Sequence, residues 1–505
     1  MRISKLFAAL LAAGLMTVVA ATGPPLATGT SPSPDRAAPT GGGGPDIVVF
    51  MLDDVPQLDG RLWRYLPNIR RTFIQQGVRF NEMYGESPLC CPGRAGWLTG
   101  QHTFNHGVDE NDVRLLDPSE TVATELDAEG YETFLSGKYF NQYDAIAPAV
   151  PPGWDHFHGM SGGYYDYTIW NDGDPDGEEH GSQPADYSTD VIGRKALDHL
   201  AHAPRSRSLF AWIAPFATHG PNSPPPRYRN DAACATIAPW SPPNYNELNV
   251  SDKPGYVQAR SLLGAPGYDL VAECRALRAV DDLVGAVTAE LDHQGRLEDT
   301  LMILTSDNGM NYGAHRLNGK VTPYATQVPF FMSWPSRLGT EPRAIHERLS
   351  NIDLAPTICD LAGCSMGPYP NGQTRPDGRS FARLLLGLDD SMDRDALLED
   401  MPDGGKLVPP WYALATTRQS PWSRVGCSSA AAGGCRWHYV EYGTGERELY
   451  DVSNGPCWTW RKGEPGDPCE LRNLAGDPDY AALQAALAAR LRRLKSEFGG
   501  PGTGG

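Results

Sequence analysis

Asp46-Ile-Val-Val-Phe-Met-Leu52 carries an unbroken apolar run from Ile47 to Leu52, with glycine and proline before it and Asp53-Asp54 after it. Continuous rather than alternating hydrophobicity marks a strand buried on both faces, as in a parallel sheet covered by helices. Ser208-Leu-Phe-Ala-Trp-Ile213 and Thr300-Leu-Met-Ile-Leu-Thr305 have the same character. Between them Leu270, Val271, Cys274, Leu277, Val280, Leu283, Val284, Val287 and Leu291 recur at three- and four-residue spacing, one face of a long amphipathic helix. Strands alternating with helices predict an α/β sandwich. After Asp393 the composition shifts to short aromatic and β-branched pieces, such as Trp437-His-Tyr-Val-Glu-Tyr442 and Glu448-Leu-Tyr-Asp-Val452, followed by an Ala/Leu/Arg-rich helix near Ala481–Phe498. These predict a small α+β domain with an antiparallel sheet.

The chain has 505 residues, 40% hydrophobic and 21% charged, with 43 basic against 61 acidic side chains and a net charge of −18. So acidic a surface argues against a general nucleic-acid binder, although a local basic site could still take an anionic substrate. Arg2 and Lys5 precede an apolar run from Leu6 to about Ala21, which reads as a signal peptide (1–21) and predicts secretion. A Gly/Pro/Ser/Thr-rich linker (22–44) follows, then the main α/β domain (45–393), the C-terminal domain (394–498) and a glycine-rich tail expected to be disordered (499–505). No later segment has the ~18 uninterrupted apolar residues of a membrane span. Export suits the ten cysteines. Cys359 with Cys364, Cys427 with Cys435 and Cys457 with Cys469 are close enough in sequence for local bridges, and Cys234 with Cys274 would remain. Connectivity does not follow from sequence, however, and Cys90 and Cys91 are left over.

In an open parallel sheet, ligands gather at the carboxyl ends of the strands. The first apolar run exits into Asp53-Asp54, the second through Pro215-Phe-Ala-Thr to His219, and the third into Ser306-Asp307-Asn308-Gly309. Each exit alone is ordinary turn chemistry. Together they supply three carboxylates, an amide and an imidazole. The oxygen donors Asp53, Asp54, Asp307 and Asn308 suit a hard divalent cation, Ca²⁺ or Mg²⁺, rather than zinc.

Pro88-Leu-Cys-Cys-Pro-Gly-Arg-Ala-Gly-Trp-Leu-Thr-Gly100 is the most specific segment. It resembles the signature of the type I, formylglycine-dependent sulfatases, Cys-x-Pro-x-Arg followed by a helix and Thr-Gly. In that register Cys90, Pro92 and Arg94 are the signature residues and Cys91 is a variable position. Gly93 departs from the small hydroxyl residue or Ala usual there. Gly137-Lys138-Tyr139 resembles the segment whose lysine contacts sulfate, and His219 the histidine facing the leaving group. Gly313-Ala-His-Arg-Leu317 with Lys320 resembles the segment carrying a second sulfate-binding lysine. Glu448-Leu-Tyr-Asp451 and Glu470-Leu-Arg-Asn-Leu474 look like one motif split by an insertion. Phe140 stands where many arylsulfatases have histidine, whose contact to the nucleophile is then absent or replaced by Asn141. The likeness is greatest to N-acetylglucosamine-6-sulfatases and related heparan-sulfate sulfatases.

The resemblance implies an alkaline-phosphatase-like sandwich, a large mixed but mostly parallel sheet between helices. It implies oxidation of Cys90 to Cα-formylglycine by a formylglycine-generating enzyme. The hydrated aldehyde would be the nucleophile and would join Asp53, Asp54, Asp307 and Asn308 on the cation. Arg94, Lys138 and Lys320 would offset charge on the sulfate, and His219 would protonate the leaving oxygen. The expected substrates are sulfated small molecules or carbohydrates. The alternatives are a phosphonate or phosphate ester hydrolase of the same superfamily, and a catalytically silent protein that binds sulfated glycans. Segments 171–183 and 224–243 are expected to wall the substrate pocket.

Overall fold

In the computed structural model, residues 44–427 and 434–499 are described; the expected signal peptide (1–21), all but the last residue of the linker (22–44) and all but the first of the tail (499–505) lie outside them. The main sheet has ten strands: β1 Asp46–Leu52, β2 Val78–Tyr84, β3 Glu132–Lys138, β4 His156–Met160, β5 Tyr167–Asn171, β6 Glu178–His180, β7 Leu209–Ala214, β8 Thr300–Ser306, β9 Gln327–Ser333 and β10 Arg343–Ser350. Their order is β10-β2-β9-β8-β1-β7-β3-β4-β5-β6. β1 lies centrally, parallel to both β7 and β8. β9 runs antiparallel to β8 and β2, and β5 antiparallel to β4 and β6, so the sheet is mixed but mostly parallel, as expected.

Alternation along β1 explains its apolar run. Ile47, Val49 and Met51 enter one buried cluster with Trp97, Leu98 and Ile358, while Val48, Phe50 and Leu52 enter another with Leu277, Val280 and Val284. Successive side chains point to opposite faces of a strand, and helices cover both faces here. The predicted amphipathic helix is Val271–His293; it packs with helix Ser188–His202 on the second face. Helix Cys90–Thr99 lies on the first and buries all ten of its residues.

The C-terminal sheet is antiparallel in the order β11-β12-β13-β14, formed by Ala396–Met401, Trp411–Thr416, Trp437–Tyr442 and Arg447–Asp451. Helix Ala481–Glu497 closes its core through Leu483, Leu487, Leu491 and Leu494. The four disulfides are Cys234–Cys274, Cys359–Cys364, Cys427–Cys435 and Cys457–Cys469, while Cys90 and Cys91 are buried free thiols. Segment 171–183 is the β5–β6 connection at the far edge of the sheet together with β6 itself, so it is largely a hairpin rather than an open loop. Among the described residues, no helix is long and apolar enough to cross a membrane.

Candidate active site

The parallel register of β1, β7 and β8 continues past the strand ends. Thr218 N–H donates to the Asp53 carbonyl (3.0 Å) and Asp307 N–H to the Leu52 carbonyl (3.0 Å), which draws the three exits together. Asp54 turns with φ of 62°, a left-handed conformation uncommon outside glycine. Its N–H donates to Asp307 Oδ1 at 3.1 Å. Asn308 Nδ2 donates to Asp54 Oδ1 at 2.7 Å, while Asn308 Oδ1 is buried with no hydrogen-bond partner. Asp53, Asp54 and Asp307 each present an oxygen within 4.8 Å of the others.

Cys90 is the first residue of its helix. The missing N–H of Pro92 falls in the first turn, where no intrahelical partner exists anyway. Asn111 Oδ1 accepts the Cys91 N–H (2.9 Å), and Gly100 ends the helix at φ of 69°. At Gly93 a Cβ would stand 2.3 Å from the Asp307 carbonyl oxygen. The departure at that position therefore matches a close approach of the helix to the β8 exit.

Arg94 lies four residues after Cys90, one turn along the same helical face. Its Nε meets Asp307 Oδ2 at 3.0 Å, Nη2 meets Asp53 Oδ2 at 3.5 Å, and Nη1 donates to the Lys138 carbonyl at 2.7 Å. At 1% exposure its bonds go to the carboxylates, not toward an open pocket. Lys138 closes β3, fully buried, and its Nζ donates to Asp53 Oδ2 at 2.6 Å. Lys320 Nζ reaches Cys90 Sγ at 2.9 Å and pairs with Asp54. His219 Nδ1 lies 2.8 Å from the Gly220 carbonyl, which can only accept, so Nδ1 carries the proton and Nε2 faces the site, 3.7 Å from Asp54 Oδ2. With side chains 31% and 16% exposed, His219 and Lys320 form the open side of the cluster.

Burial pushes the Asp53 carboxyl up, but the charges of Lys138 and Arg94, then His219 and Lys320, override it and hold the group well below the usual carboxylate range. For Asp307, burial and the neighbouring Asp53 charge outweigh Arg94 and Lys138, and its carboxyl is raised. Burial alone would lower Lys138 and Lys320, but Asp53 acting on Lys138, and Cys90 and Asp54 acting on Lys320, raise both, so they stay protonated. Burial raises the Cys90 thiol to about 11, leaving it protonated and weakly nucleophilic at neutral pH.

Cys90, Asp53, Asp54, Asp307, Asn308, Arg94, Lys138, Lys320 and His219 therefore meet in one cluster, which Asn141 does not join. Asn141 does not reach Cys90: its N–H donates to Cys91 Sγ at 3.2 Å, and its Oδ1 lies 3.6 Å from the same sulfur. Phe140 is buried in the core beside Tyr139. Several supporting residues carry no local sequence signal. Phe216 stacks on His219 and lies under Lys138 Nζ, and the Tyr164 hydroxyl donates to the His219 carbonyl. Asn351 Nδ2 donates to the Gly93 carbonyl. Trp411 of β12 donates to the Val321 carbonyl, which pins the loop next to Lys320, where Val321 sits at φ of 65°. A cavity of about 640 Å³ lies beside the cluster rather than over it; it is lined by Gln57, Trp240, Asn311, Tyr324, Arg436 and Glu470.

Residues 45–364 match the sulfatase family model. The chain is 30% identical over 394 residues to N-acetylglucosamine-6-sulfatase of Capra hircus, covering 72% of this chain and 68% of the goat protein. A solved protein in complex with its substrate D-glucosamine-2-N,6-O-disulfate superposes with a TM-score of 0.71 at 20% identity, covering 90% of this chain and 98% of that one. A phosphonate monoester hydrolase from Silicibacter pomeroyi gives 0.65 at 22% identity, over 90% and 95%. The chain belongs to the sulfatase family and is a sulfuric ester hydrolase.

Proposed function

We propose that this enzyme is a secreted hydrolase of sugar sulfate monoesters, with Cys90, converted to Cα-formylglycine, as nucleophile. The observation that carries the reading is the position of Cys90 at the start of a buried helix, against Lys320 and beside the Asp53 carboxylate. An oxygen developing negative charge there would meet the positive end of the helix dipole and the Lys320 ammonium. The goat relative and the disulfated-glucosamine complex support a sugar sulfate as substrate. The four disulfides suit export.

The donor set fits a hard divalent cation, Ca²⁺ or Mg²⁺. Three clustered carboxylates and the partnerless buried Asn308 Oδ1 are all oxygen donors. Asp53, Asp54, Asp307, Asn308 and the modified Cys90 would hold it. When bound, it supplies charge that polarises sulfate oxygens and eases deprotonation of a hydroxyl.

The chain's own residues do the rest. One hydroxyl of the hydrated aldehyde at position 90, its proton passing to solvent water, bonds to sulfur as the ester S–O bond breaks. His219 Nε2, when protonated, gives its proton to the leaving alkoxide. The neutral Nε2 can then take the proton of the second hydroxyl; the carbon–oxygen bond to sulfate breaks, the aldehyde returns and water rehydrates it. Lys138 and Lys320 offset negative charge on the sulfate. Arg94, spent on Asp53 and Asp307, positions the carboxylates. Residues 45–393 would form the catalytic domain, and 394–498 a C-terminal domain that braces the Lys320 loop through Trp411.

The test is a rate comparison across sulfated mono- and disaccharides, with aryl sulfate, phosphate monoester and phosphonate ester of matched leaving group. Mass spectrometry of the Cys90 peptide accompanies it. Turnover of sulfates with loss of sulfur from position 90 is expected. A wide preference for phosphorus esters, or sulfate turnover with Cys90 unmodified, would overturn the proposal.

A further inference from the structure

A second ligand cluster sits at the opposite end of the sheet. Glu132 opens β3 and His156 opens β4, while His199 lies in the last turns of helix Ser188–His202, which packs on β3 and brings the His199 ring against that of His156. Lys138 closes the same seven-residue β3, so the two ends are ~20 Å apart at about 3.3 Å per residue.

Glu132 Oε1 lies 3.5 Å from His156 Nε2 and 3.8 Å from His199 Nε2. These separations exceed good hydrogen bonds. They approach the ~3.3 Å edge of a tetrahedron whose ligands stand ~2.0 Å from a central zinc ion. All three ligand atoms fall within 4.8 Å of one another. The second oxygen of Glu132 is bonded by Arg207, which leaves Oε1 turned toward the imidazoles. His156 Nδ1 faces Asp172 Oδ2 at 3.4 Å, the carboxylate backing that fixes a metal-bound histidine. His199 Nε2 is buried and has no hydrogen-bond partner.

We propose that Glu132, His156 and His199 form a zinc site, distinct in chemistry and position from the oxygen-lined cluster that holds Cys90. Two imidazoles, which are borderline donors, together with one carboxylate make a His₂Glu set that suits Zn²⁺ and leaves a fourth position for water. His156, with its side chain 42% exposed, gives the ion a path in from a cavity also lined by His158, Asp172 and Lys195. Bound zinc joins helix Ser188–His202 to the starts of β3 and β4 and stabilises that edge of the sheet. The site does not depend on the reaction assigned to the other end.

The test uses the full, mature chain, freed of trace metal and then saturated with Ca²⁺ so that the oxygen-lined cluster is occupied. Calorimetric titration with Zn²⁺ is expected to give one equivalent and to raise the unfolding midpoint. His199→Ala and Glu132→Gln should weaken binding at least thirtyfold while leaving aryl sulfate turnover unchanged. Should either of these fold poorly, the more exposed His156→Ala variant and anomalous diffraction at the zinc edge on the unmutated protein carry the decision. No zinc equivalent, undiminished affinity in His156→Ala, or an anomalous peak elsewhere would overturn the assignment.

Discussion

Two adjacent buried thiols are given opposite work by the structure, which makes Cys90 and Cys91 the sharpest test of the mechanism. Cys90 Sγ faces Lys320 Nζ at 2.9 Å and Asp53 Oδ1 at 3.9 Å. Cys91 packs into the core cluster with Ala95 and Trp97 and accepts the Asn141 N–H at 3.2 Å. Cys90→Ala removes the nucleophile itself; loss of a nucleophile costs on the order of 10⁶ in kcat, which here means no turnover above background. Its fold should survive, because among the described residues no other buried group uses that sulfur as an acceptor apart from the Lys320 ammonium, which also pairs with Asp54. Cys91→Ala loses one acceptor for a part-buried N–H, about 1 kcal/mol, and the burial of one sulfur, about another 1 kcal/mol. It should therefore be destabilised by roughly 2 kcal/mol and keep sulfate turnover within about threefold of the parent. The assays are aryl sulfate hydrolysis with Ca²⁺ present, thermal unfolding, and mass spectrometry to normalise rates to converted Cys90. A folded, fully converted Cys91→Ala protein without activity, or an active Cys90→Ala protein, would refute the reasoning.

Three further outcomes are expected. Chelation should abolish turnover and Ca²⁺ or Mg²⁺ restore it, and Asn308→Ala should weaken Ca²⁺ affinity at least about tenfold by calorimetry; unchanged affinity would remove Asn308 from the ligand set. Burial raises the Glu273 carboxyl to about 7, although Tyr268 and Asn222 both donate to its Oε1. A raised carboxyl favours the folded state below about pH 4.5, and that contribution is lost as pH rises through about 7. Glu273→Gln should therefore match the parent at pH 4 and exceed its stability by roughly 2–3 kcal/mol at pH 8 in urea unfolding; an equal difference at both pH values would contradict the assignment. Glu448 is buried and accepts hydroxyl hydrogens from Tyr324, Tyr442 and Tyr450. Glu448→Ala strands three hydroxyls and should cost about 3 kcal/mol or more by calorimetric unfolding, while Glu448→Gln, which still accepts, should cost less; equal losses would show that accepting these bonds is not its role.

The buried strands β1, β7 and β8 were legible because a strand covered on both faces needs apolar residues at successive positions, and these runs have strand length. β3 was not, although it delivers Lys138. Its residues Thr133, Ser136 and Gly137 break the apolar run, and their burial depends on β4 and β7 lying alongside. The paired aspartates and Asp307-Asn308 were readable as oxygen donors at strand exits, whereas the Cys-x-Pro-x-Arg segment and the role of His219 were readable only through their resemblance to the sulfatase signature. Which partner each side chain takes was not. Arg94 could have faced substrate, but the meeting of β1 and β8 exits puts two carboxylates in its reach. Asn141 could have faced Cys90, but a one-residue change along the helix start turns its neighbour Cys91 to the other side. The grouping of Glu132, His156 and His199, and the Trp411 brace on the Lys320 loop, join residues tens of positions apart in sequence. Sequence determined the chemical inventory and the buried scaffold, since both follow from local residue type and spacing; tertiary structure alone decided the pairings, since contact across a sheet is set by strand order and register.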